Sequence, residues 1–105
     1  MSIYRFARDG TRTLVTTIAG AGFLNGVTLF SPNTFLVADD TANLIWKVDL
    51  RTASASPWLT GNLLVPPAGG LPIGPNGIKL FAGAAYISVT GAGTILRVPI
   101  LPDGS

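Results

Sequence analysis

Short apolar runs alternate with turn-forming residues along almost the whole chain. The runs are rich in Val, Ile, Thr, Leu and aromatic residues, and Gly or Pro separates most of them. No longer window has the i, i+3, i+4, i+7 apolar spacing of an amphipathic helix without a Gly or Pro in it. The pattern therefore predicts an all-β protein. The predicted strands are residues 3–6, 11–18, 25–30, 34–38, 44–50, 54–60, 78–81, 85–89 and 94–100.

Two sequence patterns recur along the chain. A strand that reads apolar, bulky, basic, apolar occurs three times, at residues 3–6, 45–48 and 95–98. An Asn-Gly pair followed by an apolar strand occurs twice, as Asn25-Gly26 and, 51 residues later, as Asn76-Gly77. Short strands that repeat every 40 to 50 residues or so are typical of β-propeller blades. The sequence therefore predicts a fragment of a β-propeller, about two four-stranded blades long.

The repeats divide this single module, residues 1–105, into parts of blades whose strands are designated A (inner) to D (outer). Residues 1–22 hold a C-like strand and a D strand that would complete a neighbouring blade, and residues 23–60 form a full blade. A long Gly/Pro-rich connection, residues 61–75, leads to a partial blade, residues 76–105, with strands A, B and C. Whether the C-like strand at the N-terminus pairs with another strand is left open.

The permuted strand order predicts self-association. From residue 11 onward the order is D, A-B-C-D, A-B-C, so the last blade lacks the D strand that the N-terminal segment carries in surplus. An unpaired strand edge is a template for pairing with another chain, and a head-to-tail contact that closes makes a ring. Three copies would supply six blades. We therefore expect a homotrimer that forms a six-bladed ring, built from either a natural fragment or an engineered scaffold.

Composition excludes several kinds of site and partner. The chain has no Cys, His or Glu, and its five carboxylates are all Asp. Thiolate or imidazole metal sites and Cys- or His-dependent catalysis are therefore excluded. The seven basic residues are scattered, which does not indicate nucleic-acid binding, and neither a signal peptide nor a membrane-spanning stretch is predicted. Charged residues make up only 11% of the chain, which suggests that much of the surface is covered by another copy.

Four segments have a distinctive order and spacing: residues 23–29, 35–39, 45–49 and 69–79. Together they resemble the senescence-marker-protein/gluconolactonase superfamily, and its fungal branch most. Strictosidine-synthase-like proteins are more distant relatives. The resemblance covers nearly the whole chain but only part of a full-length member, and it implies a six-bladed propeller and a calcium-dependent lactonase or related hydrolase.

In this superfamily a metal ion lies in the central channel, bound by carboxylate and amide oxygens at the starts of inner strands. The resemblance places Asn25 and Asn76 at ligand positions. Ca²⁺ takes such oxygens, and a metal there would polarise a lactone carbonyl or activate water. The chain departs from the pattern because it has no Glu for the family's Glu ligand. Asn76 also stands where the family has an Asp that is ligand and base, and an amide cannot act as a base.

The polar candidates also have simpler interpretations. Asn25 and Asn76 suit turns, because Asn and Gly tolerate positive φ. Asp39 and Asp40 follow a predicted B strand, where paired carboxylates can bind metal or transfer protons. Adjacent residues of a strand point to opposite faces, however, so a turn or a solvated rim is the simpler role for these two.

Two apolar features are open to similar alternatives. Trp46 and Trp58 could stack on a ligand, but packing between blades is the simpler interpretation because large aromatic residues supply much of the burial in a core. The connection of residues 61–75 would lie over one face of a propeller, as a lid or as a cover of an interface.

Three functions remain after these exclusions. The leading hypothesis is a self-assembling propeller module with no complete catalytic set, so that no catalytic residue is assigned. The alternatives are a calcium-dependent lactonase-like hydrolase with a site shared between subunits, and a module that binds a small molecule at the channel mouth. Neither a dinucleotide-binding Gly-x-Gly-x-x-Gly nor a Gly-x-Ser-x-Gly elbow is present to favour another enzyme class.

Overall fold

A computed structural model describes residues 1–105 and contains nine β-strands and no α-helix. The all-β class is therefore confirmed. Two single turns of 3₁₀ helix cover Asn62–Leu64 and Thr90–Ala92. None of the helical segments could reach across a lipid bilayer. The strands are β1 (Ser2–Phe6), β2 (Arg12–Thr17), β3 (Leu24–Ser31), β4 (Thr34–Asp39), β5 (Leu44–Asp49), β6 (Ser54–Leu59), β7 (Pro75–Phe81), β8 (Ala84–Val89) and β9 (Thr94–Pro99).

The strands form three separate antiparallel sheets in chain order. The first sheet is β1-β2, the second is β3-β4-β5-β6, and the third is β7-β8-β9. The N-terminal strand, whose pairing the sequence left open, is thus the partner of β2. Short turns join neighbouring strands within each sheet, as expected for runs of strand length separated by Gly and turn-forming residues.

The second sheet lies between the other two, and its side chains alternate between two cores. Leu36, Ala38 and Ile45 face the third sheet, whereas Val37 and Val48 face the first. Strands β3 and β7, the first strands of their sheets, contact each other across the larger core. The larger core consists of Leu36, Ala38, Ile45, Leu64, Ile78, Ala85, Ile87 and Val89.

Both tryptophans pack between sheets, as predicted. Trp46 is 7% exposed and belongs to the core between the first and second sheets. Trp58 packs against the larger core and makes an edge-to-face contact with Phe30, at 5.9 Å between ring centroids. Its indole Nε1 donates a hydrogen bond to the Gly104 carbonyl oxygen. The two rings contribute to burial between sheets.

The long connection between β6 and β7 is anchored to the third sheet. Leu64 is 1% exposed and completes the larger core from within this segment. Near its end, the Ile73 carbonyl oxygen accepts a hydrogen bond of 2.7 Å from the Gly91 amide, in the turn after β8. Strand β6 ends at Leu59 and β7 begins at Pro75, so the connection covers residues 60–74 and lies one residue earlier than predicted at each end. The segment therefore closes one end of the third sheet.

Candidate functional site

The two Asn-Gly pairs lie side by side at the starts of β3 and β7. Neither pair has a residue with positive φ, so the predicted turn role is wrong for both. Instead each pair falls where the strand shifts register against its neighbour, between Leu24 and Val27 in β3 and between Pro75 and Ile78 in β7. Such bulges redirect side chains at sheet edges and near functional sites.

Gly26 is required by the close approach of the two strands. A Cβ built on Gly26 would lie 3.0 Å from the Gly77 Cα and would overlap the Asn76 carbonyl oxygen. The strand backbones are therefore nearly in contact at the point where the two Asn side chains emerge. This contact brings the two sequence-predicted ligand residues, Asn25 and Asn76, to neighbouring strands at one end of the stacked sheets.

Asp40 is the side chain that meets Asn25. The Asn25 Nδ2 donates a hydrogen bond of 3.2 Å to Asp40 Oδ2. The backbone of Asp40 is held on both sides, because its amide donates to the Phe23 carbonyl oxygen and its own carbonyl oxygen accepts from the Gly74 amide. Asp40 is only 6% exposed, and its second oxygen, Oδ1, is buried without a hydrogen-bond partner. Such an orphaned carboxylate oxygen is costly unless something binds it.

Asn43 contributes a second orphaned oxygen to the same turn. It has a positive φ of 57°, a conformation that Asn tolerates better than most residues. Its amide group donates a long hydrogen bond of 3.4 Å to the Thr41 carbonyl oxygen, and its Oδ1 is buried without a partner. The Asn43 Oδ1 lies directly against Gly74, where any Cβ would overlap it.

Asp39, next to Asp40, has a structural role. It is fully buried and its carboxylate accepts four hydrogen bonds, from the amides of Gly22, Phe23 and Ala42 and from Trp46 Nε1, at 2.9 to 3.0 Å. Burial alone would raise the pKa of Asp39, but the hydrogen bonds from Trp46 and the three amides outweigh it and lower the pKa below 3.8. The carboxylate therefore stays ionised and ties together the segment before β3, the turn after β4, and β5.

The two aspartates do not lie on a solvated rim, which corrects that part of the prediction. Asp39 and Asp40 do border the turn after β4, as expected. Both are buried because the second sheet is covered on both faces, so that alternation along the strand leads to a core on either side. Asn43 was not predicted from the sequence. Its only signal was an Asn in a short turn directly after two aspartates.

The third sheet lacks the same chemistry. The Asn76 side chain makes no hydrogen bond within the chain, and Val89 and Thr90 occupy the positions that match Asp39 and Asp40 in the second sheet. No group of three or more His, Cys, Asp or Glu side chains converges anywhere. Ca²⁺ requires about 6–8 oxygen ligands. The oxygens of Asn25, Asp40 and Asn43 therefore suit a hard cation in type but not in number.

A second candidate site is the open edge of the third sheet. Strand β9 pairs with β8 on one side and has no neighbour on the other, where the second sheet has its fourth strand. Beside this edge lies a groove of about 350 Å³ between β6, the start of the connection and β9, lined by Leu59, Leu63, Leu64, Leu96 and Val98. The edge and the groove together form a site that a fourth strand could occupy.

The first sheet leaves an apolar face partly open as well. With only two strands it does not cover the second sheet, and a groove of about 360 Å³ remains between them, lined almost entirely by apolar residues. Val27 and Leu29 of β3 are more than half exposed as a result. The protein thus exposes apolar surface on both sides of the stack, an arrangement that marks interaction sites.

Together the fold and these sites define an all-β protein of three stacked antiparallel sheets with one buried polar cluster and, at β9, an open edge where the second sheet has its fourth strand. A scan against protein-family models and a search of curated proteins found no significant match to the chain. The functional interpretation therefore depends on the geometry and chemistry of these residues.

Proposed function

We propose that the chain is a β-propeller module that associates with further copies of itself, and that this structural role is its function. The observation that carries the proposal is the open edge of β9 beside an apolar groove. A sheet edge of this kind binds an added strand through main-chain hydrogen bonds, and the groove accepts its side chains. Three copies would complete six blades in a closed ring.

The arrangement of the sheets supports a propeller. The sheets follow one another in chain order, each is antiparallel with neighbouring strands paired, and the first strands of the second and third sheets are adjacent. Radial stacking of such sheets around inner strands is the plan of a propeller. The close contact of Gly26 with Asn76 lies where inner strands would approach the axis.

The amount of exposed surface also favours association. The accessible surface is 6380 Å², whereas a compact monomer of this mass exposes about 5,500 Å². Ile95, Phe81 and Leu63 are more than 70% exposed. These large apolar residues lie on or beside the third sheet, where a neighbouring copy would pack.

The mass in solution tests the proposal. Light scattering on a sizing column should give three times the chain mass of 10.8 kDa. Ile95→Lys places a charge on the exposed face of β9 and should shift the mass toward a single chain. Leu101→Lys, a matched change at an exposed apolar residue beyond that strand, should leave the mass unchanged. A wild-type mass of one chain at every concentration would overturn the proposal.

A second candidate function is a calcium-dependent, lactonase-like hydrolase whose site is shared between subunits. The buried, unpartnered Asp40 Oδ1 beside Asn25 favours it, because a hard cation would bind that oxygen. One chain offers too few oxygens, so a second chain or solvent would have to complete the site. No catalytic step is assigned to these residues. The decisive experiment compares the effect of added Ca²⁺ on the melting temperatures of wild type and Asp40→Asn.

A further inference from the structure

The chain contains two strands that fit one position. Strand β1 carries Ile3-Tyr4-Arg5-Phe6, and β9 carries Ile95-Leu96-Arg97-Val98, so both read apolar, bulky, basic, apolar. Nine strands per chain also exceed the eight that two four-stranded blades require. In a closed ring of identical chains, only one of the two strands, β1 or β9, can therefore occupy that position, and the other must be displaced.

The pairing of β1 with β2 reproduces the pairing of β5 with β6 in the complete sheet. In the second sheet Lys47 of β5 lies opposite Ser56 of β6, and the register shifts between Ile45 and Trp46. In the first sheet Arg5 of β1 lies opposite Thr13 of β2, and the register shifts at the matching place, between Ile3 and Tyr4. The two hairpins share both the register and the irregularity.

The register of β9 on β2 follows from this match. When Ile95–Val98 is placed on Ile3–Phe6, Arg97 takes the position opposite Thr13. The shift in register then falls between Ile95 and Leu96. Strand β2 therefore has an edge whose shape suits β9, although β1 of the same chain occupies it.

Strand β1 is bound only weakly to the edge of β2. Four of its five residues are exposed, and its sheet has only two strands. An isolated two-stranded hairpin is marginally stable in water, whereas a strand that joins a three-stranded sheet extends a packed layer. By contrast, Leu96 and Val98 of β9 already pack against the larger core.

We infer that β1 is an internal plug: it covers the edge of β2 within one chain, and β9 of a second copy displaces it to form a four-stranded sheet. The inference rests on the proposed self-association and specifies its contact. The partner is a second copy of this chain, because β9 carries the same residue pattern as the strand it replaces. Exchange of one strand for an equivalent one is a low-cost route to oligomers.

Cysteine pairs test the plug cleanly, since the chain has no cysteine of its own. Arg5 and Thr13 are exposed and directly opposite, which suits a disulfide. The variant Arg5→Cys with Thr13→Cys should assemble like wild type when reduced. Oxidised at low concentration before assembly, it should stay at the mass of one chain, because β1 is locked on β2. An unchanged trimer mass after complete intrachain oxidation would overturn the inference and leave self-association intact.

A second pair identifies the contact directly. In Thr13→Cys with Arg97→Cys, oxidation of the assembled protein should link β2 of one chain to β9 of the next and give covalent oligomers on a denaturing gel. Lys79→Cys with Thr13→Cys serves as the control, because Lys79 is also exposed but lies in β7 and not in β9, and it should yield no such ladder. If the Thr13→Cys, Arg97→Cys protein assembled but gave no covalent oligomers after oxidation, the inference that β9 displaces β1 would be overturned. A reduced protein that never assembles would instead remove the proposed function itself.

Discussion

The turn after β4 and the turn after β8 occupy equivalent places in neighbouring sheets but are held by different means. In the second sheet, residues 39–43 are fixed by the Asp39 carboxylate, which accepts four hydrogen bonds. In the third sheet, residues 90–93 contain no charge and are fixed by backbone hydrogen bonds from Thr90 and Gly91 to the long connection. One fold position is thus stabilised by charge in one sheet and by close backbone packing in the other.

Removal of the Asp39 charge should have the largest effect of any change that tests this contrast. In Asp39→Asn, the NH₂ group would replace one carboxylate oxygen and would therefore face two groups that are themselves donors. These are Trp46 Nε1 and the Gly22 amide at one oxygen, or the Phe23 and Ala42 amides at the other. Buried donors left without an acceptor make the change cost about 3 kcal/mol or more. Urea unfolding followed by circular dichroism at one fixed protein concentration measures this loss.

The matched control for this change is Asp49→Asn. Asp49 also accepts an amide hydrogen bond in a turn, from Arg51, but its side chain is 32% exposed. Its replacement should cost less than about 1 kcal/mol. Equal losses for the two variants would mean that the Asp39 network does not hold the second sheet together.

The backbone-packed turn should respond to added volume instead. A Cβ on Gly91 would overlap the Leu71 carbonyl oxygen and lie 2.7 Å from the Pro66 Cβ. Since neither the backbone nor a proline ring yields easily, Gly91→Ala should destabilise the protein by about 2 kcal/mol. Gly70→Ala is the control, because its nearest neighbours lie 3.4 Å from the added Cβ. The same urea titration measures the stability of both variants. If Gly91→Ala unfolded with the same free energy as wild type, the close packing around Gly91 would be contradicted.

Acid should reduce the stability that the turn after β4 contributes through Asp39, and should not affect the contribution of the uncharged turn after β8. The pKa of Asp39 in the folded protein is lowered, so its contribution to stability is complete well above pH 3.8 and is lost as pH falls through the lowered value. The difference in unfolding free energy between wild type and Asp39→Asn should therefore narrow below pH 4. The difference between wild type and Gly91→Ala should remain constant across this range. If the wild type were still more stable than Asp39→Asn by the same unfolding free energy at pH 2, the assigned role of the Asp39 carboxylate would be contradicted.

The same contrast shows what the sequence could and could not predict. Strands such as β5 and β6 were predictable because their apolar runs end at residues that form turns, and local pattern decides such boundaries. The pairing of β1 with β2 was not, since a free strand and a paired one have the same sequence pattern. The resemblance of the chain to a known superfamily remains a prediction.

The polar cluster of Asn25, Asp40 and Asn43 could not be predicted from the sequence for a different reason. The contact of Asn25 with Asp40 depends on a register shift in β3, and a shift of one residue redirects every side chain that follows. The burial of Asp39 and Asp40 depends on sheets packing against both faces of β4. Burial of that kind is set by tertiary structure, so alternation along one strand pointed to a solvated position instead.

The smallest expected effect concerns Asp40, whose counterpart in the third sheet is the uncharged Thr90. Asp40→Asn removes a buried charge whose Oδ1 has no partner, so without added metal the stability should stay within about 1 kcal/mol of wild type. Under the calcium-dependent alternative, added Ca²⁺ should raise the melting temperature of wild type, since a ligand of the folded state stabilises it by mass action.

The response of Asp40→Asn to Ca²⁺ then decides between the two candidate functions. The variant should lose the metal-dependent rise in melting temperature, whereas Asp49→Asn should retain it, because Asp49 ends β5 and the Asn25–Asp40–Asn43 group lies at the other end of that strand. Equal shifts in all three proteins would place any metal elsewhere, and no shift in wild type would remove the cation site. In that case the orphaned oxygen would be a cost of the fold, and the open edge of β9 would remain the feature with a function.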